Sequence, residues 1–272
     1  MNSLERMRED IRLIREAKPV IHHITNQVVM NVTANLTLAI GAAPVMADEP
    51  GEVSDMVSGS RCLVLNMGTL TEASLEAMSR AGARANKLHI PVILDPVGVG
   101  ATDFRMRSFK KILDTVDLDV IKGNYDEIRS ISGSESEGKR MRGVDSSAKG
   151  GLGERIAMAK GASAEFNAVV AITGKEDVVA STGETGIIRN GIEMLQLVTG
   201  SGCMATSVIA VFLAIGETPF HSTVFGLSLF GLSSEIADKR GPGTLGYALI
   251  DSIHEIFWNF EGCEDKIEIE ER

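Results

Sequence analysis

The stretch IPVILDPVGVGAT, Ile90 to Thr102, carries an apolar run straight into Asp95 and then spaces two glycines, Gly98 and Gly100. A strand with one wet face alternates apolar and polar residues. This one does not, so both of its faces must be buried. Strands of that kind belong to parallel sheets covered by helices on both sides. Ligands in such sheets bind beyond the carboxyl ends of the strands, which is where Asp95 stands. A carboxylate there can hold Mg²⁺ beside phosphate oxygens, directly or through water. An Asp-Pro turn that only caps the next helix explains the same residues equally well.

Working outward, the pattern recurs. PVIHHIT (19–25), RCLVLNMG (61–68), DVIKGN (119–124) and AVVAIT (168–173) read as strands, and APVMA (43–47) as a shorter one. Helical periodicity fills the gaps between them. It covers Leu4 to Ile14 before Pro19, VVMNVTANLTLAIGA closed by Gly41, and Thr71 as a cap to about Lys87. It returns around Phe104 to Asp114, from near Tyr125, and in a helix ending at about Gly161. AVVAIT, DVVAST and TGIIRNG follow at hairpin spacing. Residues 203–215, 219–239 and 245–260 read as helices, and EDKIEIEER (264–272) as a frayed acidic end. Residues 132–151, rich in Ser, Gly, Lys and Glu, read as a mobile loop rather than a linker between domains. The expectation is an α/β fold, one three-layer α/β/α domain over residues 1–272 around a mostly parallel sheet.

Composition sets limits on function. The 272 residues are 44% hydrophobic and 24% charged, enough for a full core without disulfide or metal staples. A net charge of −10 argues against a general nucleic-acid binder, which needs basic surface, but leaves a local nucleotide site open. Three widely spaced cysteines, Cys62, Cys203 and Cys263, fit neither a zinc motif nor a disulfide framework. The N-terminus is a charged amphipathic helix rather than a signal peptide, and no apolar window reaches the ~18 residues of a membrane span. A cytoplasmic protein without membrane partners is expected.

Four further stretches could carry chemistry. In VTGSGCMATS, Val198 to Ser207, Gly200 and Gly202 open a helix beginning near Cys203, and backbone amides at such a turn make an anion hole. The thiol there could be a nucleophile, a metal ligand, a proton acceptor or a small apolar residue. IKGNYDEI gathers Lys122, Asn124, Asp126 and Glu127 just past a strand. Lys122 could meet phosphate and Glu127 a hydrated Mg²⁺, although Asn124 with Glu127 also forms a capping box. ITGKEDVV offers Thr173 and Gly174 to a nucleotide phosphate, or a plain glycine turn. Asn26, Val28 and Met46 suit a small apolar heterocycle, or ordinary core. His22 and His23 are adjacent in a strand and face opposite ways, which disfavours a shared metal. Neither a P-loop nor a strand-linked G-x-G-x-x-G occurs.

The ordered set HHITNQVVMNVTAN, APVMA, DPVGVGAT, IKGNYDEI, ITGKEDVV and VTGSGCM, over about residues 18 to 215, closely resembles the hydroxyethylthiazole kinases of the ribokinase-like superfamily. The resemblance implies ATP-dependent phosphorylation of the alcohol of 4-methyl-5-(2-hydroxyethyl)thiazole, in thiamine salvage. It also implies a homotrimer with each thiazole site between subunits. By motif it places Met46 and Gly200 on the thiazole, with Asn26, Val28 and Gly68 lining the pocket. Lys122 and Thr173 fall to the ATP phosphates, Asp95 and Glu127 to Mg²⁺, and Cys203 to the place of a catalytic aspartate in related sugar kinases. Cys203 is then expected to orient the alcohol and accept its proton without being phosphorylated itself.

Three departures stand out: Lys122 where many members have Arg, Ser201 where Thr is common, and the loop over 132–151. Rival readings are a hydroxymethylpyrimidine or pyridoxal kinase, a thiazole or nucleotide sensor without turnover, and a hydrolase using Cys203, which lacks a base.

Overall fold

The computed structural model describes residues 2–132, 150–216, 218–263 and 266–271. Asn2 caps α1 (Ser3–Ala17) in a capping box with Glu5, and Lys18 ends the helix in a left-handed turn before Pro19. There follow β1 (Val20–Ile24), α2 (Met30–Ala39), β2 (Ala43–Val45), α3 (Val53–Ser58), β3 (Cys62–Asn66), α4 (Glu72–Lys87) and β4 (Val92–Asp95). Next come α5 (Asp103–Leu113), β5 (Val120–Asn124), α6 (Tyr125–Ile131), α7 (Leu152–Phe166) and β6 (Val169–Thr173). The chain continues through β7 (Asp177–Ala180), β8 (Thr185–Ile188), α8 (Ser201–Leu213), α9 (Pro219–Ile236), α10 (Pro242–Trp258) and β9 (Ile269–Glu271).

Among the described residues nine strands form one sheet in the order β2-β1-β3-β4-β5-β6-β7-β8-β9, with β1 to β6 parallel and β7 to β9 antiparallel. Successive strand residues point to opposite faces, and each face has its own core. Cys62, Val64, Ile93, Val120 and Ala171 pack beneath Ile11 of α1, Leu36 of α2, Phe212 of α8, Phe225 of α9 and Phe257 of α10. Leu63, Leu65, Leu94, Ile121 and Ile172 pack on the other side against Met78 of α4, Ile112 of α5, Ile128 of α6 and Ala162 of α7. The two cores make three layers and explain why the strands carry no polar alternation. α8 and α9 are buried almost all round, so neither shows an amphipathic stripe.

The structure differs from the sequence reading in four places. Helix α7 passes Gly161 and reaches Phe166, because an exposed glycine in a helix costs only about 1 kcal/mol. Helix α9 stops at Ile236, short of Lys239. Helix α3, a turn and a half, carries too short a pattern to be seen. The acidic end is not wholly frayed: Ile269–Glu271 pairs antiparallel with β8, with Ile267 and Ile269 against the first core. The loop read over 132–151 falls mostly on residues 133–149, outside the described residues.

Candidate active site

Parallel register brings the ends of the strands level: Asn66 lies opposite Asp95, and Asn124 opposite Thr173. Asn66, 1% exposed, is the hub. Its Nδ2 donates to Asp95 Oδ2 at 3.1 Å and to Cys203 Sγ at 3.2 Å. Its Oδ1 accepts from Asn26 Nδ2 at 2.8 Å and from the Gly68 amide at 2.9 Å. Asn26 Nδ2 also reaches Cys203 Sγ at 3.6 Å. One side chain thus ties together the ends of β1, β3 and β4 and the start of α8. A Cβ on Gly68 would fall 2.5 Å from Asn26 Nδ2, so only glycine fits there without moving the amide.

Asp95 Oδ2 also accepts from Thr206 Oγ1 at 2.7 Å and stands 3.6 Å from Lys122 Nζ, both charges being buried. Lys122 Nζ donates to the Gly202 carbonyl at 2.9 Å and so holds the glycine turn against β5. Burial works against its charge, but the negative groups around it, Asp95 first, more than offset that and hold its pKa above the ordinary lysine value. Burial and then Asp95 push the Glu127 carboxyl up, against the lowering effect of two backbone donors. Those donors are the amides of Gly98 and Asn124, both at 2.8 Å, and with Asn124 Oδ1 on the Glu127 amide the capping box is complete. Thr173 Oγ1 sits at the end of β6, 3.4 Å from the Gly123 carbonyl.

Burial, followed by Asp95, pushes the Cys203 thiol up to about 11, against Lys122 and the two asparagine donors. At pH 7 the sulfur is therefore protonated in all but about one molecule in 10⁴. The two asparagine N–H groups approach the sulfur, which leaves its own S–H free to turn elsewhere.

At the turn itself α8 has no side-chain cap. The Ser201 amide is engaged with the Val198 carbonyl at 3.1 Å, so of the amides at this turn those of Gly202 and Cys203 could meet an anion. Gly200 has φ +82, and a Cβ there would lie 2.3 Å from Val29 Cγ1. Gly200→Ala is therefore expected to cost about 1–3 kcal/mol, measured by urea unfolding. Gly202→Ala, whose new methyl would face only the movable Lys122 Nζ at 3.1 Å, should cost less.

The remaining candidates flank this cluster. Met46 follows β2, half-buried, in a segment fixed by His22 Nε2 donating to the Ala47 carbonyl at 2.8 Å. Val28 begins the approach to α2 and is 64% exposed. Burial lowers both histidines, His23 to about 3, which leaves them neutral. Their Nε2 atoms face different partners, Ala47 and Thr37, and Cys62, Cys203 and Cys263 are all free.

Three functional contacts escaped the sequence. Asn66 was visible as a polar strand end, but nothing marked it as the hub. Thr206, three residues beyond Cys203 on α8, looks like an ordinary helix hydroxyl until Asp95 is found beneath it. Arg105 of α5 donates from Nη1 to the carbonyls of Met67 and Val97, clamping the loops after β3 and β4.

Comparison with known proteins follows the same lines. The family model described as "Hydroxyethylthiazole kinase family" matches residues 11–259. A hydroxyethylthiazole kinase of Thermoanaerobacter sp. (strain X514) is 42% identical over 266 residues, 96% of this chain and 99% of that one. The structure of a hydroxyethylthiazole kinase protein from Pyrococcus horikoshii OT3 superposes with TM-score 0.88 at 36% identity, covering 98% of each chain. A Staphylococcus aureus pyridoxal kinase in complex with AMP-PCP and pyridoxal shares the fold alone, with TM-score 0.64 at 13% identity over 94% of this chain and 98% of that one. The sequence match over 96% of this chain and the superposition over 98% of it lead to one conclusion: the chain belongs to the hydroxyethylthiazole kinase family.

Proposed function

We propose that this site transfers the γ-phosphoryl group of ATP to the primary alcohol of 4-methyl-5-(2-hydroxyethyl)thiazole, yielding the phosphate used in thiamine salvage, with the roles distributed as follows. The observation that carries this reading is the linked set Cys203–Asn66–Asp95–Lys122 beneath the uncapped start of α8. A thiol, a carboxylate and a cation beside that uncapped turn, at the ends of parallel strands, support reading it as an anion hole. The O–P bond to the alcohol forms as the bridging bond to ADP breaks, and the alcohol proton must leave. Such transfers are loose, so alignment and charge neutralisation matter more than early deprotonation.

Asn26 and Gly68 then line the thiazole pocket with Met46, Val28 and Gly200, while Asn66 fixes both the pocket amide and the thiol. Cys203 holds the alcohol oxygen in line, and its thiolate form, the minor species at pH 7, receives the alcohol's proton late. The amides of Gly202 and Cys203, with Lys122, neutralise the phosphoryl oxygens. Thr173 meets the nucleotide phosphates. Asp95 and Glu127 fit Mg²⁺ as two neighbouring carboxylates, each otherwise engaged by protein donors; among the described residues no group of three or more such ligands converges. A hydrated ion shared with phosphate oxygens suits that donor set and would supply Lewis-acid neutralisation of the triphosphate.

The homotrimer draws support from exposed apolar residues beside the site. Val28, Leu197 and Tyr247 are 64%, 69% and 79% exposed. Each is next in sequence to a member of a close pair, Val29 with Gly200 or Val198 with Gly246, so the three lie on segments near the turn before α8. A neighbouring subunit would cover them and give Val28 a buried pocket to line.

ADP release coupled to NADH oxidation tests the reaction. Steady turnover with the thiazole alcohol and MgATP, and none with pyridoxal or hydroxymethylpyrimidine, is the expected result. Nucleotide or thiazole binding without ADP release would establish a sensor instead. No described helix is long and apolar enough to cross a membrane.

A further inference from the structure

Helix α7 leads into β6 and runs antiparallel to it, so its first turn lies at the same edge of the sheet as Thr173 and Gly174. There Arg155 is 8% exposed, and its guanidinium lies against the backbone of the turn. A Cβ added to Gly174 would come within 2.5 Å of Nη1. Its Nε is buried with no hydrogen-bond partner. Among the described residues its ion pair is with Glu176, at 3.6 Å from Nη2, longer than a hydrogen bond.

Two further features make this a poor structural arrangement. A cation near the start of a helix opposes the helix dipole, and α7 begins at Gly151 with no side-chain cap. A buried guanidinium with unmet donors is costly in a low-dielectric site. An anion at the Thr173–Gly174 turn would relieve both at once.

The surrounding charge points the same way. Asp95, Glu127, Glu176 and Asp177 gather around this end of the site, and Asp177 lies close enough to feel both Lys122 and Arg155. Asp177 Oδ1 accepts from the Gly174 amide at 2.8 Å, so that amide is not free for a phosphate. Lys122 is a point charge already shared between Gly202 and Asp95. A triphosphate facing four carboxylates needs a second protein cation, one able to present two parallel N–H donors.

We propose that Arg155 is a nucleotide-binding residue that clamps a phosphate group of ATP at the Thr173–Gly174 turn, supplying the forked contact that Lys122 cannot make. The inference rests on the reading of that turn as the ATP phosphate site.

Calorimetric titration of ATP into the full-length protein and its variants, with steady-state kinetics, tests it. Arg155→Gln should weaken ATP binding about tenfold and raise KM for ATP alike, while KM for the thiazole alcohol stays within twofold. Arg155→Lys should recover part of the loss, keeping the charge without the fork. Glu176→Gln, which removes the competing carboxylate, should tighten ATP two- to threefold. This variant still decides the matter if Arg155→Gln does not fold, because a merely structural Arg155–Glu176 pair predicts weaker or unchanged binding. Unchanged ATP affinity in Arg155→Gln, or unchanged or weakened affinity in Glu176→Gln, overturns the assignment of Arg155. Failure of the wild-type protein to bind ATP overturns the reading of the turn itself.

Discussion

Asp95→Asn is expected to lower turnover about 10³-fold at saturating ATP and thiazole alcohol, on the scale of losing one main centre of charge stabilisation. The carboxylate does three things at once. It accepts from Asn66 and Thr206, it faces the buried Lys122 ammonium at 3.6 Å, and it forms half of the acidic pair with Glu127. The amide can keep at most the hydrogen bonds. It leaves Lys122 buried beside a neutral group, and removing one partner of a buried ion pair costs about 3–5 kcal/mol. With Asp95 gone, Lys122 loses the largest of the influences that offset its burial, so its pKa falls. The variant should therefore lose stability most where wild-type Lys122 is charged and recover part of it as pH rises toward 10. Denaturant unfolding from pH 7 to pH 10 reads this directly. Turnover within tenfold of wild type would remove Asp95 from the chemistry.

Cys203→Ala should reduce turnover about 10²-fold, the lower range for removing a group that handles the proton of the attacking atom. Cys203→Asp should keep turnover at or above wild type at pH 7, because a carboxylate is already ionised there while the thiol is held at about 11. The pH dependence gives the sharper test. Burial raises the thiol pKa, so the thiolate fraction grows tenfold per unit of pH up to about 11. If proton acceptance limits turnover, wild-type kcat climbs across pH 7–10 while that of the Asp variant stays flat. A flat wild-type profile together with a large loss in the Ala variant would leave the thiol a positioning role only. Full activity in the Ala variant, or a trapped phosphocysteine, would refute direct transfer assisted by Cys203.

The fold was legible because its logic is repeated. Strands β3, β4 and β6 are apolar on both faces and end in Asn66, Asp95 and Thr173, and the register then sets Asn66 level with Asp95 and Asn124 with Thr173. Nearest-neighbour spacing also exposed the capping box of Asn124 and Glu127. What stayed hidden depends on contacts between distant segments. Asn66 meets Cys203 across 137 positions, and Thr206 meets Asp95 across 111, so no local pattern could single them out. The engagement of the Ser201 amide with the Val198 carbonyl was hidden as well, because it depends on the detailed path of the turn. The strand at Ile269–Glu271 was missed because a short acidic segment has little strand preference of its own and is fixed by its partner β8.

That strand has a consequence for the behaviour of the protein in solution. An open sheet edge is a template on which another molecule can build, and the fold has two edges to guard against aggregation. At one, β2 is short and carries Pro44, which offers no amide to a newcomer. At the other, β9 covers the uncharged run Thr185–Ile188 and turns the outermost ladder into one flanked by Glu268, Glu270 and Glu271. Arg189 holds Glu270 at 2.7 Å and Ser3 holds Glu271 at 2.6 Å, so the cover is fastened to the body of the molecule. Two molecules meeting along that edge would bring carboxylates face to face. A newcomer at this edge would meet a row of carboxylates rather than an apolar ladder.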